Sequence, residues 1–159
     1  MTKITVRKMQ IGDHVDLKKN IFTDMPIEVI EKNVEDNSKA MKDGSTNWTY
    51  FVAEADKQIV GTMYLEHKSK SINKHIGELF SVVTASNYRG QGVCKELFNE
   101  VSKYALDKGI EKIILTVRGG TIAETVYQKM GFIKYGSLPN GIKEKDSYAD
   151  EAYYYYKLK

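Results

Sequence analysis

The sequence is short of several features that would place it in a particular class of protein. It has one cysteine, Cys94, so an intramolecular disulfide framework is excluded and a reducing cytoplasm is expected. No apolar run approaches membrane-spanning length, and the N-terminus lacks the apolar segment of a signal peptide. We therefore expect no membrane partner, and because lysine and arginine form no block, we expect no nucleic-acid partner.

The composition is that of an ordinary globular protein. The 159 residues are 42% hydrophobic and 28% charged, with a net charge of +3. This balance argues against disorder, and the length predicts a single domain, residues 1–159, with a substantial core. His14, His67 and His75 have no metal-ligand spacing with one another or with Cys94, so no metal site is predicted.

Strand and helix patterns alternate along the chain, and residues 37–47 form a polar run that predicts a loop. The patterns predict strands at residues 4–8, 48–55, 59–66, 78–84, 113–117, 132–135 and 152–158, helices that begin near residues 13, 26 and 93, and a short helix at 121–130. Strands that alternate with helices indicate a mixed-sheet α/β or α+β domain.

The central stretch joins a strand, a glycine-rich turn and a helix. Residues 78–84 are apolar and β-branched, as in a buried strand, and one apolar stripe runs along the helix that follows. The turn between them holds Arg89, Gly90 and Gly92. Free N–H groups and the dipole at a helix N-terminus favour an anion, and glycines let a ligand approach the backbone. The stretch therefore predicts a phosphate-binding site.

Two familiar phosphate-binding loops do not fit this turn. A dinucleotide fold needs a third glycine where Lys95 stands, and Lys95 does not follow a glycine as a nucleoside-triphosphate loop requires. Arg89-x-x-Gly92-x-Cys94 instead resembles the Gln/Arg-x-x-Gly-x-Gly/Ala signature of the GNAT superfamily of acetyl-CoA-dependent N-acetyltransferases. Residues 123–132 resemble the second motif of that family, a short helix that runs into a Gly-Phe pair.

The resemblance covers nearly the whole chain and implies a fold. It implies a central mixed, mostly antiparallel sheet, flanked by helices and splayed between strands 4 and 5. Acetyl-CoA is then the cosubstrate. The backbone groups implied to bind it are those of Val82, Val83 and Thr84, at the acetyl and pantetheine end, and of Arg89, Gly90, Gln91, Gly92, Val93 and Cys94, around the pyrophosphate.

Two catalytic residues follow from the same resemblance. Tyr127 is implied to protonate the leaving thiolate, and Glu78, four residues before Val82, is implied to take the proton of the attacking amine. The alternatives are an ordinary core tyrosine, and a glutamate that is simply exposed at the start of a strand or that only orders water. The chain also departs from the family pattern at Ser86, where many members have proline, and at Gly120, where the second motif often has asparagine.

Cys94 replaces the glycine or alanine of the signature and leaves two outcomes open. The helix dipole and Arg89 would favour a reactive thiolate, whereas burial would make the thiol inert, and we expect the inert thiol.

The expected reaction is direct attack of a primary amine, on a small molecule or an amino acid, on the acetyl group of acetyl-CoA. A protein or peptide acceptor and a non-catalytic acyl-CoA-binding module are the alternatives. The acceptor is expected to be read by residues 23–47 and by the tail. Residues 153–156, four tyrosines, are expected to alternate in burial, and their alternative role is an acceptor pocket or a homodimer contact.

Overall fold

The computed structural model describes residues 3–68 and 71–159, where a seven-stranded sheet carries four α-helices. The strands are β1 (Thr5–Lys8), β2 (Trp48–Ala55), β3 (Gln58–His67), β4 (Ile76–Thr84), β5 (Lys112–Arg118), β6 (Ile133–Lys143) and β7 (Tyr148–Lys157). The helices are α1 (His14–Asn20), α2 (Ile27–Asp43), α3 (Val93–Asp107) and α4 (Ile122–Lys129), with a 3-10 helix at Ser86–Tyr88.

The strand order is β1-β2-β3-β4-β5-β7-β6. Only the pair β4–β5 is parallel among the described strands, and α3 connects its two members. The other neighbours pair antiparallel. The predicted mixed, mostly antiparallel sheet flanked by helices is therefore confirmed.

The sheet is buried on both faces by two separate clusters. The larger lies between the sheet and helices α3 and α4, and it includes Phe51 and Ala53 of β2. The smaller lies between the opposite face and helices α1 and α2, and it includes Val52. Alternate residues of one strand thus enter different clusters, as the pleat requires. The central strands of the sheet are therefore packed against helices on both faces.

Gly61 of β3 lets α3 lie close against the sheet. A Cβ atom at this position would lie 2.6 Å from Cγ1 of Val93 and 3.1 Å from Cδ1 of Leu97. Because Val93 opens α3, the absence of a side chain at Gly61 sets how deeply the first turn of that helix packs.

The predicted loop at residues 37–47 is wrong for residues 37–43, because α2 continues to Asp43, and the loop is limited to residues 44–47. Ser38 is buried and Met41 is half-buried, so one face of the helix continues to pack against the sheet in this segment. A serine occupies one of the buried positions on that face. The remaining residues of this segment are polar because they face solvent. The helix ends at Gly44, which adopts the left-handed conformation common after a helix.

The C-terminal hairpin is longer than predicted. β6 and β7 together extend from residue 133 to residue 157, with register shifts after Lys134 and after Leu138. Pro139 is tolerated because β6 is the edge strand, where a missing N–H breaks no inner ladder. In β7 the tyrosines alternate as expected: Tyr154 is fully buried, whereas Tyr153 and its alternate neighbour Tyr155 are half-buried on the other face.

Candidate active site

Strands β4 and β5 separate part-way along their length. They pair at Ile76–Lys112, Gly77–Ile113 and Glu78–Ile114, and no later pair joins them in the described chain although both strands continue. The predicted splay between strands 4 and 5 is confirmed. The second half of β4 therefore has a free edge inside the sheet.

A β-bulge shapes that free half of β4. Thr62 pairs with Val83 and Tyr64 pairs with Phe80, so two residues of β4, Ser81 and Val82, stand opposite one residue of β3. Ser81 has φ +48°, a left-handed conformation that few non-glycine residues adopt. The hydroxyl of Thr62 donates a hydrogen bond of 2.8 Å to the carbonyl of Ser81 and holds this conformation.

The bulge decides which of the predicted backbone groups face the gap. The N–H of Ala85 donates to the carbonyl of Val60, so Ala85 and, two residues earlier, Val83 form hydrogen-bonded pairs with β3. By the same alternation the N–H and C=O groups of Val82 and Thr84 point away from β3, into the gap. Val82 and Thr84 are placed to contact a ligand there, and the backbone of Val83 belongs to the ladder.

The predicted phosphate loop stands where β4 ends. Gly90 and Gly92 have φ values of +76° and +87°, and no atom lies within 4 Å of a Cβ built at either position. The space above the loop is therefore open. Gly92 precedes α3, and no side chain of the described residues caps this helix. The N–H groups of the first turn, including those of Val93 and Cys94, have no partner within the helix.

Arg89 and Gln91 flank the loop glycines. Arg89 is exposed, and its Nε lies 3.4 Å from the carbonyl of Thr84, a weak contact that keeps the guanidinium beside the loop. Nε2 of Gln91 donates to the carbonyl of Asn87 at 2.9 Å. The loop thus places a permanent positive charge next to unpartnered N–H groups.

Tyr127 and Cys94 meet between α4 and the first turn of α3. Sγ of Cys94 lies 3.8 Å from Sδ of Met130, and the thiol packs against the larger core cluster. Burial raises the pKa of Cys94 to about 11. Tyr127 is 9% exposed, and burial raises the pKa of its hydroxyl well above the usual value, with the neighbouring Cys94 thiol as a second cause. Both groups are therefore protonated near neutral pH.

Glu78 lies on the other face of the sheet. Its neighbours Gly77 and Leu79 face α3, since a Cβ at Gly77 would meet Leu65 and Leu79 belongs to the larger cluster. By alternation Glu78 faces the side of α1 and α2. Its carboxylate accepts a hydrogen bond from Lys68. The two predicted catalytic residues thus lie on opposite faces of the sheet.

A cavity of about 180 Å³ lies on the same face as Glu78, where α1, α2 and β2 meet the bulge. Tyr50 and Ser81 both line it. Burial raises the pKa of Tyr50, partly offset by a hydrogen bond with Ser81. A wider groove of about 620 Å³ runs along α3 on the opposite face and contains none of the predicted site residues.

Sequence reasoning missed both the cavity and a junction built by Glu124. The carboxylate of Glu124 accepts hydrogen bonds from the Tyr154 hydroxyl at 2.6 Å, from the Gly120 N–H at 2.6 Å and from Lys134 at 3.1 Å. These donors lower the pKa of Glu124 to about 2. Glu124 therefore ties the β5–α4 junction, where the family pattern often places an asparagine at residue 120. The only local signal for this contact in the sequence is that Glu124 lies four residues after Gly120.

Comparison with known proteins identifies the family. The model of the acetyltransferase (GNAT) family matches residues 18–132. This chain belongs to the GNAT family.

Curated N-acetyltransferases resemble part of it. N-acetyltransferase 8B of Rattus norvegicus is 36% identical over 89 residues, which are 55% of this chain and 40% of the relative. N-acetyltransferase 8 of Homo sapiens is 34% identical over 91 residues, with 55% and 39% covered. The chain thus spans about two fifths of the length of the curated relatives it matches.

A solved N-acetyltransferase structure has the same fold along nearly the whole chain. The N-acetyltransferase from Staphylococcus aureus Mu50 superposes with a TM-score of 0.80 at 19% identity, covering 99% of both chains. At this identity the likeness concerns the fold alone. Within the described residues, no helix is long and apolar enough to cross a membrane, and no group of three or more His, Cys, Asp or Glu side chains is arranged to hold a metal.

Proposed function

We propose that this GNAT protein, as one N-acetyltransferase domain over residues 1–159, transfers an acetyl group from acetyl-CoA to a primary amine of a small molecule or an amino acid. The observation that carries the proposal is the meeting of the β4–β5 gap with the open glycine loop. The gap gives an extended thioester arm access to the backbone of β4. The loop gives its phosphates a cluster of donors at a helix N-terminus.

The residues of the loop fit a pyrophosphate. Arg89 supplies charge, and the N–H groups of Gly92, Val93 and Cys94 supply donors without displacing an existing side-chain cap. The thiol of Cys94 packs inward against Met130, so the larger residue at this position leaves the loop surface clear. When bound, acetyl-CoA supplies the activated acetyl group.

Val82 and Thr84 then hold the arm in the gap. Their N–H groups lie on the free edge of β4, where they meet the arm and the acetyl carbonyl oxygen. The strained conformation at Ser81 is maintained by Thr62, so these donors are oriented before the ligand arrives.

Tyr127 acts on the side of the leaving sulfur. Its raised pKa keeps the phenol protonated, which is the state an acid needs. Complete transfer of the Tyr127 proton to a leaving thiolate is unfavourable if the thiol has its ordinary pKa of about 8.5, because the phenol is then the weaker acid. The same burial raises the pKa of a thiolate beside it, so the hydroxyl donates a hydrogen bond as charge develops and passes the proton as the thiol forms.

Glu78 acts on the side of the acceptor. An amine must lose a proton to attack, and Glu78 is a carboxylate on the face that carries the cavity. The placement of Glu78 and Tyr127 on opposite faces of the sheet suits direct transfer of the acetyl group. Glu78 takes a proton from the amine on one face, and Tyr127 gives a proton to the leaving sulfur on the other.

Two measurements test the proposal. A turnover screen with acetyl-CoA over amines, amino acids, polyamines and peptides should give acetylated small amines. A peptide-only result would instead support a peptide acceptor, and acetyl-CoA binding without any turnover would support a binding module.

Gly92→Asp tests the loop itself. The new carboxylate would stand against the pyrophosphate, so calorimetry should show coenzyme A affinity reduced about 100-fold or more while circular dichroism stays native. Gly109→Asp is the matched control, since Gly109 also has a positive φ and open space but stands at the far end of α3. Equal affinities for coenzyme A in the two variants would reject the loop assignment.

A further inference from the structure

The cavity of about 180 Å³ between α1, α2 and the β4 bulge has apolar walls. Leu17 of α1 and Ile30 and Val34 of α2 are nearly fully buried, at 1%, 3% and 2% exposure. Met9 and Phe22 complete the walls, and Met25 stands partly exposed among the lining residues. These side chains come from α1 and α2, from the connection between them, and from the residue that follows β1. The walls offer dispersion contacts and no charge.

The polar groups of the cavity are also uncharged. Asn33 and Asn37 project from α2, four residues apart on one face, and Tyr50 and Ser81 stand on the sheet. An ammonium or carboxylate placed here would find amide and hydroxyl dipoles but no ion-pair partner among the lining side chains. The cavity is therefore suited to a neutral group.

Ser81 connects the cavity to the reacting atoms. It lines the cavity and is also the first residue of the bulge that turns Val82 towards the β4–β5 gap. An acceptor with its amine at the bulge therefore has the rest of its structure directed between α1 and α2.

The size of the cavity limits what enters it. An apolar cavity of roughly 150 Å³ accommodates benzene. A volume of about 180 Å³ therefore holds a group the size of a phenyl ring or of a chain of four to six carbons. Desolvation in such a site also favours the neutral form of the attacking amine, the form that reacts.

We propose that the acceptor is a primary amine with an uncharged, apolar substituent of this size, seated between α1 and α2. This deepens the proposed function and rests on it, since it names the class of amine that the acetyl group reaches. Polyamines and amines with a second charge near the nitrogen are poor acceptors, because their second charge has no partner in the cavity.

A matched pair of amines tests the inference. Pentylamine and 1,4-diaminobutane have similar lengths and differ by a terminal methyl in place of an ammonium. With acetyl-CoA, kcat/KM should favour pentylamine by about 100-fold or more, and should exceed that of propylamine by about tenfold or more. Equal or better acetylation of 1,4-diaminobutane would overturn the inference while leaving the acetyltransferase activity established.

A charge placed in the cavity wall gives the second readout. Asn37→Asp introduces a carboxylate at a half-buried lining position and should lower the ratio of kcat/KM for pentylamine over 1,4-diaminobutane by about tenfold or more. Asn99→Asp adds the same charge on the exposed side of α3 and should leave the ratio unchanged. An unchanged ratio in Asn37→Asp would place the acceptor outside this cavity.

Binding separates this inference from the proposed function. If the turnover screen gives no acetylated amine or amino acid, the proposed function fails, and calorimetry with pentylamine and 1,4-diaminobutane on the wild type and on Asn37→Asp still decides the cavity. Tighter binding of pentylamine that Asn37→Asp weakens supports the inference. Tighter binding of the diamine, or binding that Asn37→Asp leaves unaltered, rejects it.

Discussion

Alkylation of Cys94 measures how the first turn of α3 is packed. Cys94 is the only cysteine, so every label on the protein reports this one thiol. A helix N-terminus ordinarily lowers the pKa of a thiol. Here burial against Met130 and the core outweighs that effect and raises the pKa from 9.0 to about 11. The thiol should therefore react slowly although it stands beside the proposed phosphate loop.

The magnitude follows from the fraction of thiolate. At pH 8 a thiol with a pKa of 9.0 is about one tenth ionised, and one with a pKa of 11 is about one thousandth ionised. Iodoacetamide should therefore label the folded protein about 100-fold more slowly than the protein unfolded in urea. The rate should rise about tenfold for each pH unit until it levels near pH 11, because the thiolate is the nucleophile.

Mass spectrometry over a time course, with and without coenzyme A, provides the assay. Cys94→Ala is the control for labelling elsewhere, and it should bind coenzyme A at least as well as the wild type because the thiol packs away from the loop. Labelling of the folded protein at the unfolded rate, blocked by coenzyme A, would refute the packing argument and place the thiol in the site.

Three substitutions test other parts of the molecule. Tyr127→Phe should lower kcat about 100-fold or more with coenzyme A affinity nearly intact, and full activity would return this residue to a purely core role. Glu78→Gln should lose activity near neutral pH and regain part of it at high pH, where free amine accumulates; a parallel loss at every pH would indicate positioning. Gly61→Ala forces a Cβ to within 2.6 Å of Val93, so denaturant titration should show a free energy of unfolding reduced by about 1–3 kcal/mol. Gly136→Ala, which meets only an ordinary contact of 3.4 Å, should cost less, and equal losses would contradict the packing argument.

Local signals predicted the helices, strands and turns well where the residue type matched the burial or the backbone conformation at its position. The positive φ values at Gly90 and Gly92 and the apolar stripe of α3 are encoded within about twenty residues, so the loop and helix were predictable. The second half of α2 was not, because Ser38 occupies a buried position that a hydrophobic pattern expects to be apolar. The side-chain oxygen of Ser38 is buried without a hydrogen-bond partner in the described chain. Ser38 therefore neither caps the helix nor stabilises a turn, and its presence in the sequence does not indicate where α2 ends.

The sequence by itself determined the family, the order of the elements and the position of the glycine loop before α3, because these depend on spacing along a single stretch of chain. The tertiary structure alone decided how distant residues combine. It placed Glu78 and Tyr127 on opposite faces of the sheet, and it turned the thiol of Cys94 inward. It also formed a cavity lined by uncharged side chains between α1, α2 and Ser81. Side-chain direction and cavity volume arise from packing between elements far apart in the chain, and no local pattern records that packing.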